Sequence, residues 1–167
     1  MNITLIGMPG AGKSTVGVVL SKLLNLDFTD TDLLIQRKHK KRLHQLIETY
    51  GTEGFLKLES EAITEHHFEN TVIATGGSAV YMEESMQYLK SLGKVVYIKV
   101  SLRSLKKRVK NLEKRGVVSK NAQSLAEIYK ERASLYEKYA DFTVCTDGLT
   151  TEQSALKIAE LFEQAEP

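Results

Sequence analysis

The stretch Gly7-Met8-Pro9-Gly10-Ala11-Gly12-Lys13-Ser14 follows the apolar run Ile3-Thr4-Leu5-Ile6 and opens an amphipathic segment. It fits the pattern G-x4-G-K-[S/T] between a strand and a helix, the context in which that pattern binds phosphate. The glycines let backbone N–H groups point inward, and the following helix directs the positive end of its dipole at the same anion. The pattern predicts a P-loop that binds a nucleoside triphosphate, rather than a glycine-rich turn that binds nothing. Its expected binding residues are Gly10, Ala11, Gly12, Lys13, Ser14 and Thr15.

The rest of the chain alternates short apolar runs with longer amphipathic stretches. We predict strands at 3–6, 28–30, 71–75, 94–100 and 142–145, and helices at 14–24, 43–50, 53–68, 84–92, 102–112, 125–139 and 151–164. Strands separated by helices pair in parallel, so the expected fold is a three-layer, doubly wound α/β domain with a five-stranded parallel sheet over 1–167. Ligands of such sheets bind at the carboxyl ends of the strands.

Composition limits the classes of partner. The chain has 167 residues and a formal net charge of +2, which favours neither nucleic acid nor membrane as a partner. The single cysteine, Cys145, excludes an internal disulfide, and no secretory signal or membrane span is visible. We expect a cytoplasmic monomer. The basic run 37–42 is interpreted either as a solvated connection between helices or as a surface that recruits an anionic partner.

Two carboxylates follow the second predicted strand, in Thr29-Asp30-Thr31-Asp32. Alternate positions of an extended segment point the same way. Beside a P-loop, one carboxylate can hold Mg²⁺ and the other can accept the proton of an attacking hydroxyl. Aspartates are also common turn formers and helix N-caps, and the two readings weigh equally on this segment alone.

Taken together, these segments resemble the shikimate kinase family of P-loop kinases, over nearly the whole chain. In that family a P-loop and Asp-x-Asp precede a Gly-Glu-x-x-Phe-Arg-x-x-Glu segment and a strand ending in Gly-Gly-Gly. A lid with Arg-Pro-Leu-Leu and a helix with Arg-x-x-x-Tyr follow. Here the matching segments, in the same order, are 7–14, 30–32, 51–59, 76–78, 115–118 and 132–136.

The resemblance implies ATP and Mg²⁺ as cofactors. Lys13 would serve the phosphates, and Ser14 and Asp30 would hold the metal. Arg108 matches a position that lies against the adenine ring. Arg115, in a lid near 111–121, would close over the transferring phosphate.

The resemblance also implies an acceptor site, with a helical binding region near 33–66. The acceptor would be a small hydroxylated molecule that bears a carboxylate. Asp32 would contact its hydroxyls and act as the base, while Gly76 and Gly77 would offer backbone N–H groups. Arg132 would bind its carboxylate.

Three departures from the family pattern touch the acceptor and the lid. Leu56 replaces an arginine that binds carboxylate in the family and pairs with the acid matched by Glu59. Lys57 is a poor replacement, since one step along a helix turns a side chain by about 100°, and is interpreted as a solvated charge. The lid reads Arg-Gly-Val-Val at 115–118, where glycine predicts more flexibility than proline. Ser78 replaces the third glycine.

The favoured interpretation is an ATP-dependent small-molecule kinase, with shikimate as the leading acceptor. One alternative is a kinase of the same family with a different hydroxylated acceptor, for which Leu56 would belong to an adapted pocket. Another is a non-catalytic nucleotide-binding regulator, which the retention of Lys13, Ser14, Asp30 and Asp32 disfavours. A nucleic-acid-associated protein is disfavoured by the small net charge.

The Leu56→Arg variant tests the acceptor. If shikimate is the substrate, the new guanidinium should lower its Michaelis constant, because a charged hydrogen bond contributes roughly 1.5–3 kcal/mol, or about 10- to 150-fold. The shikimate Michaelis constants of wild type and variant measure this. Loss of activity on another, true acceptor would identify Leu56 as part of a different pocket.

Overall fold

A computed structural model describes residues 1–109 and 124–163. Its strands are β1 (Ile3–Ile6), β2 (Asp27–Asp30), β3 (Thr71–Ala74), β4 (Lys94–Lys99) and β5 (Phe142–Cys145). Its helices are α1 (Lys13–Leu23), α2 (Thr31–His39), α3 (Leu43–Thr64), α4 (Glu83–Leu92), α5 (Leu102–Arg108), α6 (Leu125–Tyr139) and α7 (Thr151–Glu163), with a 3₁₀ turn at Ala79–Tyr81. The predicted lid at 111–121, with Arg115, lies outside the described residues.

The five strands form one sheet in the order β2-β3-β1-β4-β5, with every neighbouring pair parallel. The predicted five-stranded parallel α/β fold is confirmed. The side chains of β1 and β3 are buried throughout, as the apolar runs predict for strands covered on both faces. Because β2, β3 and β1 are neighbours, their carboxyl ends bring the P-loop, Asp30 and the double glycine to one edge of the sheet. In the described part of the chain, no helix combines the length and apolar character needed to cross a membrane.

The helices differ from the sequence prediction in the acceptor region. The expected break at Gly51 is present, with φ of 67° and ψ of 178° inside α3, but α3 ends at Thr64 rather than at residue 68. α2 was not predicted as a separate helix, because it begins directly at the end of β2 without a loop. Asp30 caps it, its Oδ1 accepting from the Asp32 N–H at 2.9 Å. Asp30 is therefore a helix N-cap, as one reading of the sequence expected.

Candidate active site

The P-loop forms a turn whose backbone carbonyls accept hydrogen bonds from its own lysine, Lys13. Gly12, with φ of 91°, is in the left-handed conformation that glycine adopts without strain, and α1 begins at the next residue. Lys13 Nζ donates to the carbonyls of Gly7 at 2.7 Å and Met8 at 3.0 Å. Burial lowers the pKa of Lys13 to about 8. This buried ammonium lies at the amino end of α1, where the helix dipole also favours an anion.

The two predicted metal residues meet beside the loop. Ser14 Oγ donates to Asp30 Oδ2 at 2.5 Å. A hydroxyl and a carboxylate are oxygen donors of the kind that Mg²⁺ prefers, and Mg²⁺ is commonly held by one or two carboxylates together with substrate phosphates. Among the described residues no cluster of three or more acidic, histidine or cysteine side chains could hold a metal alone. The pair therefore fits a magnesium ion shared with a nucleotide.

Within the described ranges, Asp32 is the carboxylate that lines the cavity. Burial and the neighbouring charge of Asp30 raise its pKa to about 6, while Lys13 opposes the shift. Its backbone is fixed by the Asp30 cap, since the Asp32 N–H is the donor in that bond. A carboxylate with a raised pKa, held close to the lysine predicted to bind phosphate, has the properties of a general base.

The double glycine after β3 allows the polar groups to approach one another. A methyl group at Gly76 would lie 2.5 Å from Glu59 Oε1 and 2.7 Å from Asp32 Oδ1. One at Gly77 would lie 2.8 Å from Pro9 Cδ and 2.9 Å from Arg132 Nη1. No larger residue fits at either position without displacing these groups.

The backbone of the double glycine is partly engaged within the protein. The Gly76 N–H, predicted to face the acceptor, donates to Thr31 Oγ1 at 3.2 Å. An acceptor would have to share or displace that bond. The Gly77 carbonyl accepts from Tyr136 Oη at 2.6 Å, which ties the glycine loop to α6.

One departure from the family pattern, Ser78, contacts a buried acid. Ser78 Oγ donates to Glu59 Oε2 at 2.7 Å, and Glu59 Oε1 has no hydrogen-bond partner among the described residues. Burial, followed by the charge of Asp32, raises the pKa of Glu59 from its usual 4.5 to about 8. Ser78 therefore supplies a hydrogen bond to an acid that, by the resemblance, would otherwise pair with an arginine.

Leu56 lies within a small apolar cluster and is only 2% exposed. The other buried members are Ile35, Leu46, Phe55 and Ala62. Leu56 is absent from the described cavity lining, to which Phe55 contributes. Lys57 is exposed, as expected of a solvated charge. An arginine at 56 would have to leave the cluster to reach the cavity, and the lost packing would oppose the gain predicted for Leu56→Arg.

Arg132, on α6, is 1% exposed yet lines the cavity. Its Nε donates to Tyr81 Oη at 3.1 Å, and its Nη2 has no hydrogen-bond partner within the described ranges. A buried guanidinium with an unused donor is costly unless a ligand completes it. The position predicted to bind a carboxylate is therefore a buried cation with a donor left for a ligand.

Arg108 lies at the outer side of the P-loop. Its Nη1 approaches the Gly10 carbonyl at 3.5 Å, and the side chain is exposed. A methyl group at Gly10 would lie 2.4 Å from Val109 Cγ2, so the end of α5 packs directly on the loop. This places Arg108 next to the predicted nucleotide, where a guanidinium can stack on a base.

The P-loop, Asp32, the double glycine and Arg132 line a common cavity of about 420 Å³. Its lining residues are Pro9, Gly10, Gly12, Lys13, Ser14, Thr15, Asp32, Leu43, Phe55, Thr75, Gly76, Gly77, Ser78 and Arg132. Most of them were predicted as site residues, namely Gly10, Gly12, Lys13, Ser14, Thr15, Asp32, Gly76, Gly77 and Arg132. The cavity is large enough for a small molecule beside a phosphate.

Sequence reasoning missed the supporting residues of the site. Phe55 and Leu43 supply its apolar wall from α3. Tyr81 holds Arg132 from the 3₁₀ turn, and Ser78 was noted only as a departure from the family. Tyr81 follows closely after the double glycine, which places it near the site, but nothing in the sequence indicates its contact with Arg132.

A P-loop on a five-stranded parallel sheet, with a carboxylate and a guanidinium lining the same cavity, defines a P-loop phosphotransferase. The family model for shikimate kinase matches residues 9–163. The chain belongs to the shikimate kinase family.

Individual relatives agree with this membership. A shikimate kinase of Clostridium botulinum is 38% identical, covering 98% of this chain and 96% of its own length. One of Francisella tularensis is 39% identical, covering 95% and 92%. The structure of a shikimate kinase from Acinetobacter baumannii in complex with shikimate superposes with a TM-score of 0.89 at 31% identity, covering 99% of this chain and 94% of that one. The predicted family is confirmed.

The raised pKa of Glu59 predicts a pH-dependent effect of Glu59→Gln. Folding favours the protonated acid, so wild-type stability falls as the pH rises from about 4.5 towards about 8. Glutamine stays neutral throughout and can still accept from Ser78. The variant should match wild type near pH 5 and exceed it at pH 8.5 by about 3–5 kcal/mol in the free energy of unfolding. Urea unfolding across this range measures the difference.

Glu61→Gln is the matched control, because Glu61 lies on the same helix and is exposed. Its stability difference from wild type should stay flat with pH. A Glu59→Gln difference that fails to widen between pH 5 and 8.5 would contradict the burial of an ionisable acid at this position.

Proposed function

We propose that the protein transfers the γ-phosphoryl group of ATP to a hydroxyl of shikimate. The observation that carries the proposal is Arg132, a buried cation whose Nη2 has no hydrogen-bond partner in the described part of the chain, in the same cavity as Lys13 and Asp32. An acceptor that bears both a carboxylate and a hydroxyl can satisfy Arg132 at one end and meet Asp32 at the other. Shikimate, the ligand of the Acinetobacter baumannii complex, has this chemistry.

The nucleotide side of the mechanism rests on the P-loop. The amino end of α1 and the loop amides hold the phosphates, and Lys13 turns from the carbonyls of Gly7 and Met8 to the transferring group. The negative charge of a triphosphate would also favour the protonated form of Lys13. Arg108 covers the outer side of the nucleotide. Arg115 would approach the transferring phosphoryl group from the lid.

Ser14 and Asp30 would hold Mg²⁺, which would neutralise charge on the phosphate oxygens when bound. In the described structure the two side chains bond each other at 2.5 Å, which brings a hydroxyl and a carboxylate oxygen together beside the P-loop. Asp30 also caps α2 through its other oxygen. The cap fixes the carboxylate and thereby sets the position of Asp32 two residues later.

On the acceptor side, Asp32 accepts the proton of the attacking hydroxyl. Arg132 orients the acceptor by its carboxylate, and Gly77 lets Pro9 and Arg132 approach the glycine loop more closely than any side chain there would permit. Phe55 and Leu43 give the cavity an apolar wall. Positioning of this kind, with little covalent chemistry from the protein, is what phosphoryl transfer requires.

A second candidate is a kinase of the same family that acts on another hydroxylated carboxylate. Leu56 favours it, because among the described residues the cavity lining contains one arginine where the resemblance implies two that bind the carboxylate. Arg132 argues against an uncharged polyol, since such an acceptor would leave the buried guanidinium without an ionic partner.

An ADP-release screen separates these candidates. The panel consists of shikimate, other hydroxy acids, amino acids and polyols, with ATP and Mg²⁺ at fixed concentration. Shikimate should give the highest kcat/KM. Lys13→Ala is the control and should abolish turnover without unfolding the protein, because Lys13 faces the phosphates. No release with shikimate, while ATP still binds, would exclude shikimate and leave a kinase with a different acceptor.

Asp32→Asn separates chemistry from nucleotide binding. Asparagine keeps the shape but cannot accept the hydroxyl proton, so turnover should fall by about 10²- to 10⁴-fold. The ATP dissociation constant, measured by calorimetry, should change little, since Ser14 and the P-loop amides hold the nucleotide. An equal loss of turnover and ATP affinity would reassign Asp32 to metal binding.

A further inference from the structure

The setting of Arg132 is unusual for a buried cation. Within the described ranges no carboxylate forms an ion pair with it, and its side chain is held by a phenol instead. Tyr81 lies under the guanidinium, whose Cζ is 5.0 Å from the centre of the tyrosine ring. Tyr136, in turn, bonds the neighbouring Gly77 carbonyl. Neutral groups hold the arginine in place and leave its charge uncompensated by a direct partner.

Hydrogen-bond directions at Tyr81 are fixed by its neighbours. Arg132 Nε can only donate, so the Tyr81 oxygen accepts from it at 3.1 Å. The Tyr81 hydroxyl proton then goes to Glu131 Oε1 at 2.5 Å. A hydroxyl that donates to a carboxylate becomes a better acceptor, so Glu131 strengthens the bond between Tyr81 and Arg132.

The fold explains why Tyr81 can link two consecutive residues. Glu131 and Arg132 are neighbours on α6, and their side chains leave the helix about 100° apart. Tyr81 ends the 3₁₀ turn Ala79–Tyr81, which packs on α6 just after the double glycine. The phenol lies between the two side chains. Its oxygen accepts a hydrogen bond from Arg132 Nε, and its ring lies against the guanidinium, so the guanidinium is restrained in two ways.

We propose that Tyr81, supported by Glu131, is a positioning residue that aims Arg132 Nη2 at the carboxylate of the acceptor. This inference rests on the proposed function and deepens it. An ion-paired acid beside Arg132 would orient it but would also compete with the acceptor. A tyrosine bridge orients the guanidinium without neutralising it. The bridge thereby accounts for how one arginine can bind a carboxylate in a cavity where Leu56 provides no second one.

Tyr81→Phe tests the bridge, because it removes Oη and keeps the ring under the guanidinium. The shikimate KM should rise about tenfold, as expected for losing a hydrogen bond to a charged group. The KM for ATP and kcat should stay within about twofold of wild type. Glu131→Gln, which still accepts the phenol proton but without charge, should raise the shikimate KM by about threefold.

Two comparisons distinguish a positioning role from general damage to the fold. Tyr88→Phe is the matched control. Tyr88, on α4, donates its hydroxyl hydrogen bond to the His66 carbonyl at 2.8 Å and lies outside the cavity lining. Its kinetics should equal those of wild type. With the methyl ester of shikimate, which lacks the carboxylate charge, the Tyr81→Phe effect should shrink to within about twofold.

The outcomes are separable from those of the proposed function. Absence of shikimate turnover by wild type would overturn the function, and this inference with it. Wild-type turnover with an unchanged shikimate KM in Tyr81→Phe would overturn the bridge alone. If Tyr81→Phe fails to fold, Glu131→Gln decides: a wild-type shikimate KM in that variant contradicts the proposal.

Discussion

The close approach of backbone and side chains at Gly76 and Gly77 is the constraint on which the site depends. Any side chain at Gly76 would meet both Glu59 and Asp32 below 3 Å, and one at Gly77 would meet Pro9 and Arg132. These two positions follow β3, which lies between β1 and β2 in the sheet. Glu59, Asp32, Pro9 and Arg132 can therefore approach this turn so closely only because no side chain occupies it.

Bringing those groups together sets the charge state of the cavity. Burial shifts the pKa of Asp32 to about 6, that of Glu59 to about 8 and that of Lys13 to about 8. Each shift disfavours the charged form, because burial penalises charge. Under the proposed function, the phosphates and the acceptor carboxylate would supply counter-charges at Lys13 and Arg132. Two buried cations in one cavity attract anionic ligands more strongly than the small net charge of the chain alone would suggest.

Sequence reasoning predicted the features formed by contiguous residues and missed the side-chain contacts between residues far apart in the chain. The P-loop was readable because the residues from Gly7 to Ser14 form one unbroken pattern with a mechanism. Asp32 was a candidate base from its place near the P-loop, but Arg132 required the family resemblance, since spacing alone does not say that α2 and α6 line one cavity. The bonds between Ser78 and Glu59 and between Tyr81 and Glu131 join residues 19 and 50 positions apart, and side-chain pairing at such separations has no local signal. α2 was not predicted as a separate helix, although it lies mostly within the helical region expected near 33–66, because it begins directly after the last residue of a strand, where a loop is expected.

Recognition of a carboxylate by the buried guanidinium of Arg132 is the central claim, and shikimate binding to Arg132→Met tests it most directly. Methionine keeps the length and apolar contacts of the stem and removes the guanidinium. Calorimetric titration should show shikimate binding to wild type and an affinity at least about 30-fold lower in the variant, with ATP affinity unchanged. Equal shikimate affinity in the two proteins would show that the carboxylate is bound elsewhere and would contradict the account.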